Sequence, residues 1–203
     1  MSTRCVIGIV GKVGAGKDTF AEELKPQGYH RIAFGDALKR HAMGMFDLTY
    51  AQVHGSLAEK KTVDPRWGLS PRQILQRLGT ETARSVHPSV WIEALKRDLV
   101  ALENGRTWIV NEGRWVLGVS GGRWPTRFVV PDVRFPDEAQ ALRDMGGVIV
   151  RVIRPDFAGT SHAEHASETE QEAIAADYTV FNGNRISDLR QRARAIAKEQ
   201  AAT

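Results

Sequence analysis

The residues with the most definite chemistry stand at positions 11–19: Gly11-Lys12-Val13-Gly14-Ala15-Gly16-Lys17-Asp18-Thr19. Their spacing is G-x-x-x-x-G-K, directly after an apolar run and ahead of a helix-spaced one, the context this pattern requires. Glycines let the backbone close around phosphate oxygens, so that N–H groups and the start of the following helix face the anion. Gly14, Ala15 and Gly16 would form such a cradle, and Lys17 would reach the β- and γ-phosphates of a nucleotide as a point charge. A chance glycine-rich turn is the bland alternative, and it must account for strand, loop, lysine and helix arriving together. The residue after the lysine is Asp18, where such loops usually carry a Ser or Thr for magnesium, and Thr19 follows. A carboxylate is also a good ligand for a hard cation. The sequence leaves Asp18 and Thr19 both as candidates.

Five further segments could accompany the loop. Asp36 and Lys39 follow a short apolar run; Asp36 could orient or deprotonate an acceptor and Lys39 hold its phosphate. A helix cap and a solvated lysine are the plain reading of the same pair. Ser70-Pro71 is a helix start, and Arg72 just inside it is well placed for a phosphate, whereas Arg77 and Arg84 read more simply as a solvated face. Asp132 ends an apolar strand, as the second metal-holding carboxylate of phosphate-loop proteins does, and Arg134 is two residues on. In extended chain the two share a side; a structural ion pair is the alternative. Arg154 follows another strand and precedes a polar stretch reaching Ser167 and Glu168, which suits a lid that excludes water. His162 and His165 in that stretch read as lid or surface residues. Asn182 lies in a strand-to-helix turn that could cradle an adenine, or be an ordinary turn.

Alternating elements must position these residues. Strands are expected at 4–10, 31–34, 127–130, 148–153 and 178–181. Helices are expected at 18–25, 36–46 (with Leu38, Ala42 and Met45 inward), 70–86, 90–103, 136–145 and 187–201. A further strand is possible at 107–110, residues 111–125 take no clear assignment, and residues 50–67 read as polar and irregular. This alternation predicts an α/β fold with a parallel sheet and right-handed crossovers. In open parallel sheets the ligand crevice lies beyond the strand C-termini, which would bring Asp36 and Lys39 near the phosphate loop. No linker stands out, so 1–203 is expected to be one domain, with a helical substrate region at about 36–105 and a lid at about 154–170.

The 203 residues, 42% hydrophobic and 26% charged, suit a globular chain. One Cys excludes an internal disulfide and a Cys-rich zinc site. The apolar run ending at Val10 is too short to span a bilayer, so no membrane partner and a cytoplasmic location are expected. Arg supplies 20 of the 28 basic residues, and the net charge is only +4. Arg185, Arg190, Arg192 and Arg194 form a basic stripe that raises a nucleotide-dependent nucleic-acid binder. Asp188, Glu199 and the small net charge argue against it.

Taken together, the GKDT loop ending, FGDALKR, SPRQILQRLGTE, PDVRFPDEA, RVIRP, HASE and YTVFNGN segments resemble the phage-type deoxynucleoside monophosphate kinases. The resemblance covers most of the chain, and in that family a lysine-then-aspartate loop ending also occurs. It implies a P-loop kinase sandwich of five parallel strands flanked by helices, with a helical substrate region and a lid. It implies transfer of the ATP γ-phosphate, with Mg2+, to a deoxynucleoside monophosphate in the cytoplasm (the host's, if phage-encoded). Carried over, Lys17 looks like the donor-phosphate lysine and Arg72 and Arg134 like substrate-phosphate ligands. Ser167 and Glu168 look like lid residues near the acceptor, and Asp132 is a candidate metal ligand beside Asp18. In the mechanism expected here, Arg154 joins Lys17 and magnesium in offsetting charge on the transferring group, and Lys17, Arg134 and Arg154 are the expected catalytic residues. Trp91 and Phe157 are possible base-stacking residues, though aromatics there are more often core. A homodimer is possible. Kinases of other small metabolites, such as dephospho-coenzyme A or phosphomevalonate, are the runner-up, and a nucleotide-binding pseudo-enzyme rests on Asp18 alone. Base preference is not readable.

Overall fold

The structure, a computed structural model, describes residues 4–111, 114–119, 125–155, 170–183 and 185–202. The chain divides into two compact units, one made of residues 1–33 and 125–203, the other of residues 34–124.

The first unit is built on five strands: β1 (Cys5–Val10), β2 (His30–Arg31), β5 (Arg127–Val130), β6 (Val148–Ile153) and β7 (Tyr178–Phe181). Their order is β2-β5-β1-β6-β7, and every neighbouring pair is parallel. The interior strands are buried on both faces, which is why they read as unbroken apolar runs. Along β1 the side chains alternate between two helical layers. Ile7 and Ile9 share a core with Phe20, Ala21 and Leu24 of α1 (Lys17–Leu24) and Leu189, Ala193 and Ile196 of the closing helix (Ile186–Gln200). Gly8 faces the other layer; a Cβ there would stand 2.6 Å from Leu142 of the helix Pro136–Asp144. The unit is therefore the expected three-layer sandwich.

The second unit holds α2 (Phe34–Phe46), α3 (Tyr50–His54), α4 (Leu57–Lys61), α5 (Pro71–Gln76), a π-helical stretch (Arg77–Thr82), α6 (Ala83–Val86) and α7 (Val90–Glu103). It ends in an antiparallel hairpin of β3 (Arg106–Asn111) and β4 (Arg114–Val119). The first unit also holds α8 (Pro136–Asp144) and α9 (Ile186–Gln200). A buried cluster of Ala42, Met43, Leu48, Val53 and Ile74 forms the unit's core. Arg40 and Asp98 make a buried ion pair; Trp108 Nε1 donates to Asp98 at 3.2 Å, and the Arg40 guanidinium lies 4.7 Å from the Trp108 ring.

Three local expectations are corrected. The second strand ends at Arg31, and Phe34 already belongs to α2, whose buried side is Phe34, Ala37, Ala42 and Met43. Met45 faces solvent at 63% exposure, one residue out of register with the inward stripe. Residues 50–67 contain two short helices, each opened by a reciprocal cap: Thr49 with Gln52, and Ser56 with Glu59. The possible strand at 107–110 is present as β3, in the antiparallel hairpin of the second unit. The helix expected over 70–86 follows one helical path, widened by the π-helical stretch.

Candidate functional site

The site is built on the loop between β1 and α1. At Gly11 (φ 156°) a Cβ would stand 2.4 Å from the Val152 carbonyl oxygen, so the chain can leave β1 this close to β6 only as glycine. Gly16 caps α1 in the left-handed region (φ 105°), a conformation that costs L-residues with a Cβ. The loop closes on itself through Ala15 N–H to Lys12 O at 3.1 Å, and Phe20 N–H to Gly16 O at 3.0 Å begins the helix. Lys17 folds back across this ring and donates to Gly11 O at 2.6 Å and Lys12 O at 2.9 Å. Its ammonium is thereby held over the loop whose glycines precede it. Asp18 follows in the first turn of α1 and is exposed; Thr19 is half-buried. Lys12 pairs with Glu172 at 3.0 Å, both largely exposed, an arrangement that contributes little to stability.

Parallel strands deliver their following loops to one edge, and the remaining first-unit candidates arrive there. Beyond β5, Val133 N–H donates to Ile9 O at 3.2 Å, which ties the turn carrying Asp132 to the end of β1. Asp132 is half-buried and Arg134 exposed. The backbone N–H groups of Arg134 and Phe135 both donate to Glu138 Oε2, at 2.8 and 3.2 Å. Glu138 is 3% exposed, so a buried carboxylate fixes the backbone under an exposed guanidinium. Sequence reasoning missed Glu138. The signal was Pro136-Asp137-Glu138 after a strand, a helix start with an acid in its first turn. Arg154 follows β6 and is exposed. Asn182 follows β7: its N–H donates to Ile153 O at 2.6 Å, and its Nδ2 to Ala15 O at 2.9 Å. The structure thus brings Asn182 onto the glycine loop itself.

In the second unit, Asp36 and Lys39 lie in the first turns of α2 and are half-buried. Arg72 is exposed in the first turn of α5, which Ser70 and Gln73 cap reciprocally, with Gln73 N–H to Ser70 Oγ at 3.3 Å and Ser70 N–H to Gln73 Oε1 at 2.9 Å. Trp91 spends its Nε1 on the Gly79 carbonyl at 2.8 Å inside the π-helical stretch. Ser167, Glu168, Phe157, His162 and His165 lie outside the described residues. In the basic stripe of α9, Arg190 and Arg194 turn to Glu23 of α1, at 3.5 and 2.6 Å.

Among the described residues no cluster of three or more His, Cys, Asp or Glu could hold a metal ion. A divalent cation carried on nucleotide phosphates needs no such cage, since one or two oxygen ligands and water complete its shell. The exposed carboxylate of Asp18 beside Lys17, the Thr19 hydroxyl and Asp132 fit that requirement. No helix among the described residues is long and apolar enough to cross a membrane.

Comparisons with known proteins agree with this chemistry. Residues 37–193 match the family model described as deoxynucleotide monophosphate kinase. A putative deoxynucleotide monophosphate kinase of Acanthamoeba polyphaga mimivirus is 29% identical over 198 residues, covering 91% of each chain. A deoxynucleoside-5'-monophosphate kinase of Escherichia phage T5 is 29% identical over 107 residues, 50% of this chain and 34% of that one. Among solved structures, TT1252 from Thermus thermophilus superposes with a TM-score of 0.51 at 18% identity, covering 98% of both chains. Shikimate kinase from Aquifex aeolicus does so with a TM-score of 0.50 at 12% identity, covering 97% and 98%. These last two speak for the fold alone. With the glycine loop, its lysine and the family match over most of its length, the chain belongs to the deoxynucleotide monophosphate kinases, ATP-dependent phosphotransferases of P-loop fold.

Proposed function

We propose that this chain transfers the γ-phosphoryl group of ATP, with Mg2+, to a deoxynucleoside 5′-monophosphate, giving ADP and the deoxynucleoside diphosphate in the cytoplasm. The observation that carries this reading is the glycine loop with the Lys17 ammonium folded over it. Such transfer asks little covalent chemistry of the protein; positioning and charge neutralisation supply the rate. Gly14, Ala15 and Gly16 offer backbone N–H groups to the donor phosphates. Lys17 moves from the loop carbonyls to the phosphate oxygens, trading neutral acceptors for charged ones, a stronger class of hydrogen bond. Arg154 offsets charge on the transferring group. Arg134 and Arg72 grip the acceptor monophosphate with bidentate guanidinium forks, Lys39 adds a point charge, and Asp36 orients the acceptor. Ser167 and Glu168 complete the acceptor side. Asp18, with Thr19 or Asp132, would hold the magnesium, which would supply neutralisation of phosphate charge when bound.

A coupled assay for ADP over the four common deoxynucleoside monophosphates tests the reading. ADP formation is expected to require one of these acceptors and to vanish in Lys17→Ala, with the circular dichroism spectrum kept. Turnover confined to dephospho-coenzyme A or phosphomevalonate would overturn it.

A further inference from the structure

The side chain of Asn182 faces a carbonyl, which can only accept, so its NH2 group must be the one that points at Ala15 O. The peptide group between Ala15 and Gly16 is trans and planar, so its C=O and N–H point in opposite directions. Drawing Ala15 O toward the β7 turn therefore turns the Gly16 N–H to the far side of the loop. The same amide limits how Gly16 can move: a Cβ at Gly16 would stand 2.6 Å from Asn182 Nδ2 and 3.1 Å from Leu189 Cδ2. The Asn182 backbone is itself fixed on β6 through Ile153 O at 2.6 Å, so the side chain reaches the loop from a firm base. One peptide plane of the glycine loop is thus set by a residue from the far end of the sheet.

We infer that Asn182 is a positioning residue for the donor triphosphate: it holds the Ala15–Gly16 peptide so that the Gly16 N–H aims at phosphate oxygens, and it does not read the base. This deepens the kinase reading above and rests on it for the identity of the donor. A donor aimed before the anion arrives costs no reorganisation when it binds. Without Asn182 that peptide can rotate and present its carbonyl to the anion instead.

The test separates phosphate from base by its probes. Binding of ATP and of inorganic tripolyphosphate is measured by calorimetry for wild type, Asn182→Ala and Asn182→Asp. Asn182→Asp keeps the shape and replaces the donor with a second acceptor. Asn182→Ala is expected to weaken ATP and tripolyphosphate by the same factor, roughly tenfold, the scale of one hydrogen bond, and Asn182→Asp, which also sets a negative charge beside the anion, should weaken both further. The KM for the acceptor nucleotide should stay at the wild-type value. If ATP weakens while tripolyphosphate does not, Asn182 contacts the adenine and the inference is wrong; unchanged binding of both also overturns it. Should Asn182→Ala fail to fold, the neutral Asn182→Ser, which is too short to reach Ala15 O, carries the comparison. Dependence of tripolyphosphate binding on Asn182 in a wild-type protein that phosphorylates no deoxynucleoside monophosphate would uphold the loop role and sink the kinase reading instead.

Discussion

Arg134 joins a side chain free to reach solvent to a backbone that is not free to move. Its N–H and that of Phe135 end on the Glu138 carboxylate, which is buried, so the guanidinium swings from a fixed root. For a residue that grips a phosphate this arrangement limits the conformations lost on binding. Arg134→Ala is therefore expected to lower kcat/KM for the acceptor nucleotide by about 10³ or more, the scale of an arginine contact in phosphoryl transfer. ATP affinity measured without acceptor should not change. Arg134→Lys should recover little, because an ammonium cannot form the bidentate pair. A wild-type kcat/KM in Arg134→Ala would remove the residue from the acceptor site. Lys17 was legible in the sequence because everything that defines it lies within a few residues. The partner of Asn182 was not: that hydrogen bond joins positions 167 apart, and an Asn in a strand-to-helix turn looks the same whether it faces a base or a backbone carbonyl. Glu138 was hidden for a similar reason, since only burial distinguishes a helix-start acid that organises a loop from one that merely faces water.

At the scale of elements, the strands of the first unit were readable because burial on both faces leaves a continuous apolar run, as in Val148–Ile153. α3 and α4 were not, because five residues each are too few to show a period; their capping boxes were the only signal, in a stretch whose composition is polar. Val53 ties this stretch to the core, and a polar network holds the rest. Asp64, 4% exposed, accepts Arg66 NH2 at 2.7 Å, the Arg66 backbone N–H at 3.0 Å and Gln52 Nε2 at 3.0 Å. Arg66 also reaches Asp47 at 3.0 Å. The Arg66 hydrogen bond above all holds the Asp64 carboxyl well below the ordinary carboxylate range. A folded-state pKa below the unfolded one stabilises the fold above the unfolded value and loses that contribution as pH falls through the folded value. The loss thus begins near pH 4, where an unfolded Asp titrates, and continues into stronger acid. Thermal midpoints followed across that range should fall more steeply for wild type than for Asp64→Asn, which has no carboxylate to protonate there. Parallel curves for the two proteins would show that Asp64 does not carry the acid sensitivity.

The two units differ in how far apart in the chain their contacts lie, which predicts that slow and fast folding steps fall in different units. In the first unit, β5 pairs with both β1 and β2, although the entire second unit lies between β2 and β5 in the chain. That sheet cannot form until this long segment has been closed, and parallel, non-local pairing is intrinsically slow. The second unit is one continuous stretch, residues 34–124, of helices and a hairpin joined by short turns, so its contacts are local. Of the five tryptophans, the four among the described residues, Trp67, Trp91, Trp108 and Trp115, fall within it. Trp67 donates to Phe46 O, Trp91 to Gly79 O, Trp108 to Asp98 and Trp115 to Met43 Sδ, so each of these four indoles reports on packing inside that unit. Tryptophan fluorescence therefore follows the second unit, while far-ultraviolet circular dichroism follows both. On dilution from denaturant, the fluorescence change should run ahead of the last phase in circular dichroism. Trp108→Phe should reduce the early fluorescence amplitude while leaving the rate of that last phase unchanged, since the parallel sheet contains no tryptophan. Superimposable kinetics by the two probes would mean that the units fold as one cooperative block, with closure of the sheet governing the second unit as well.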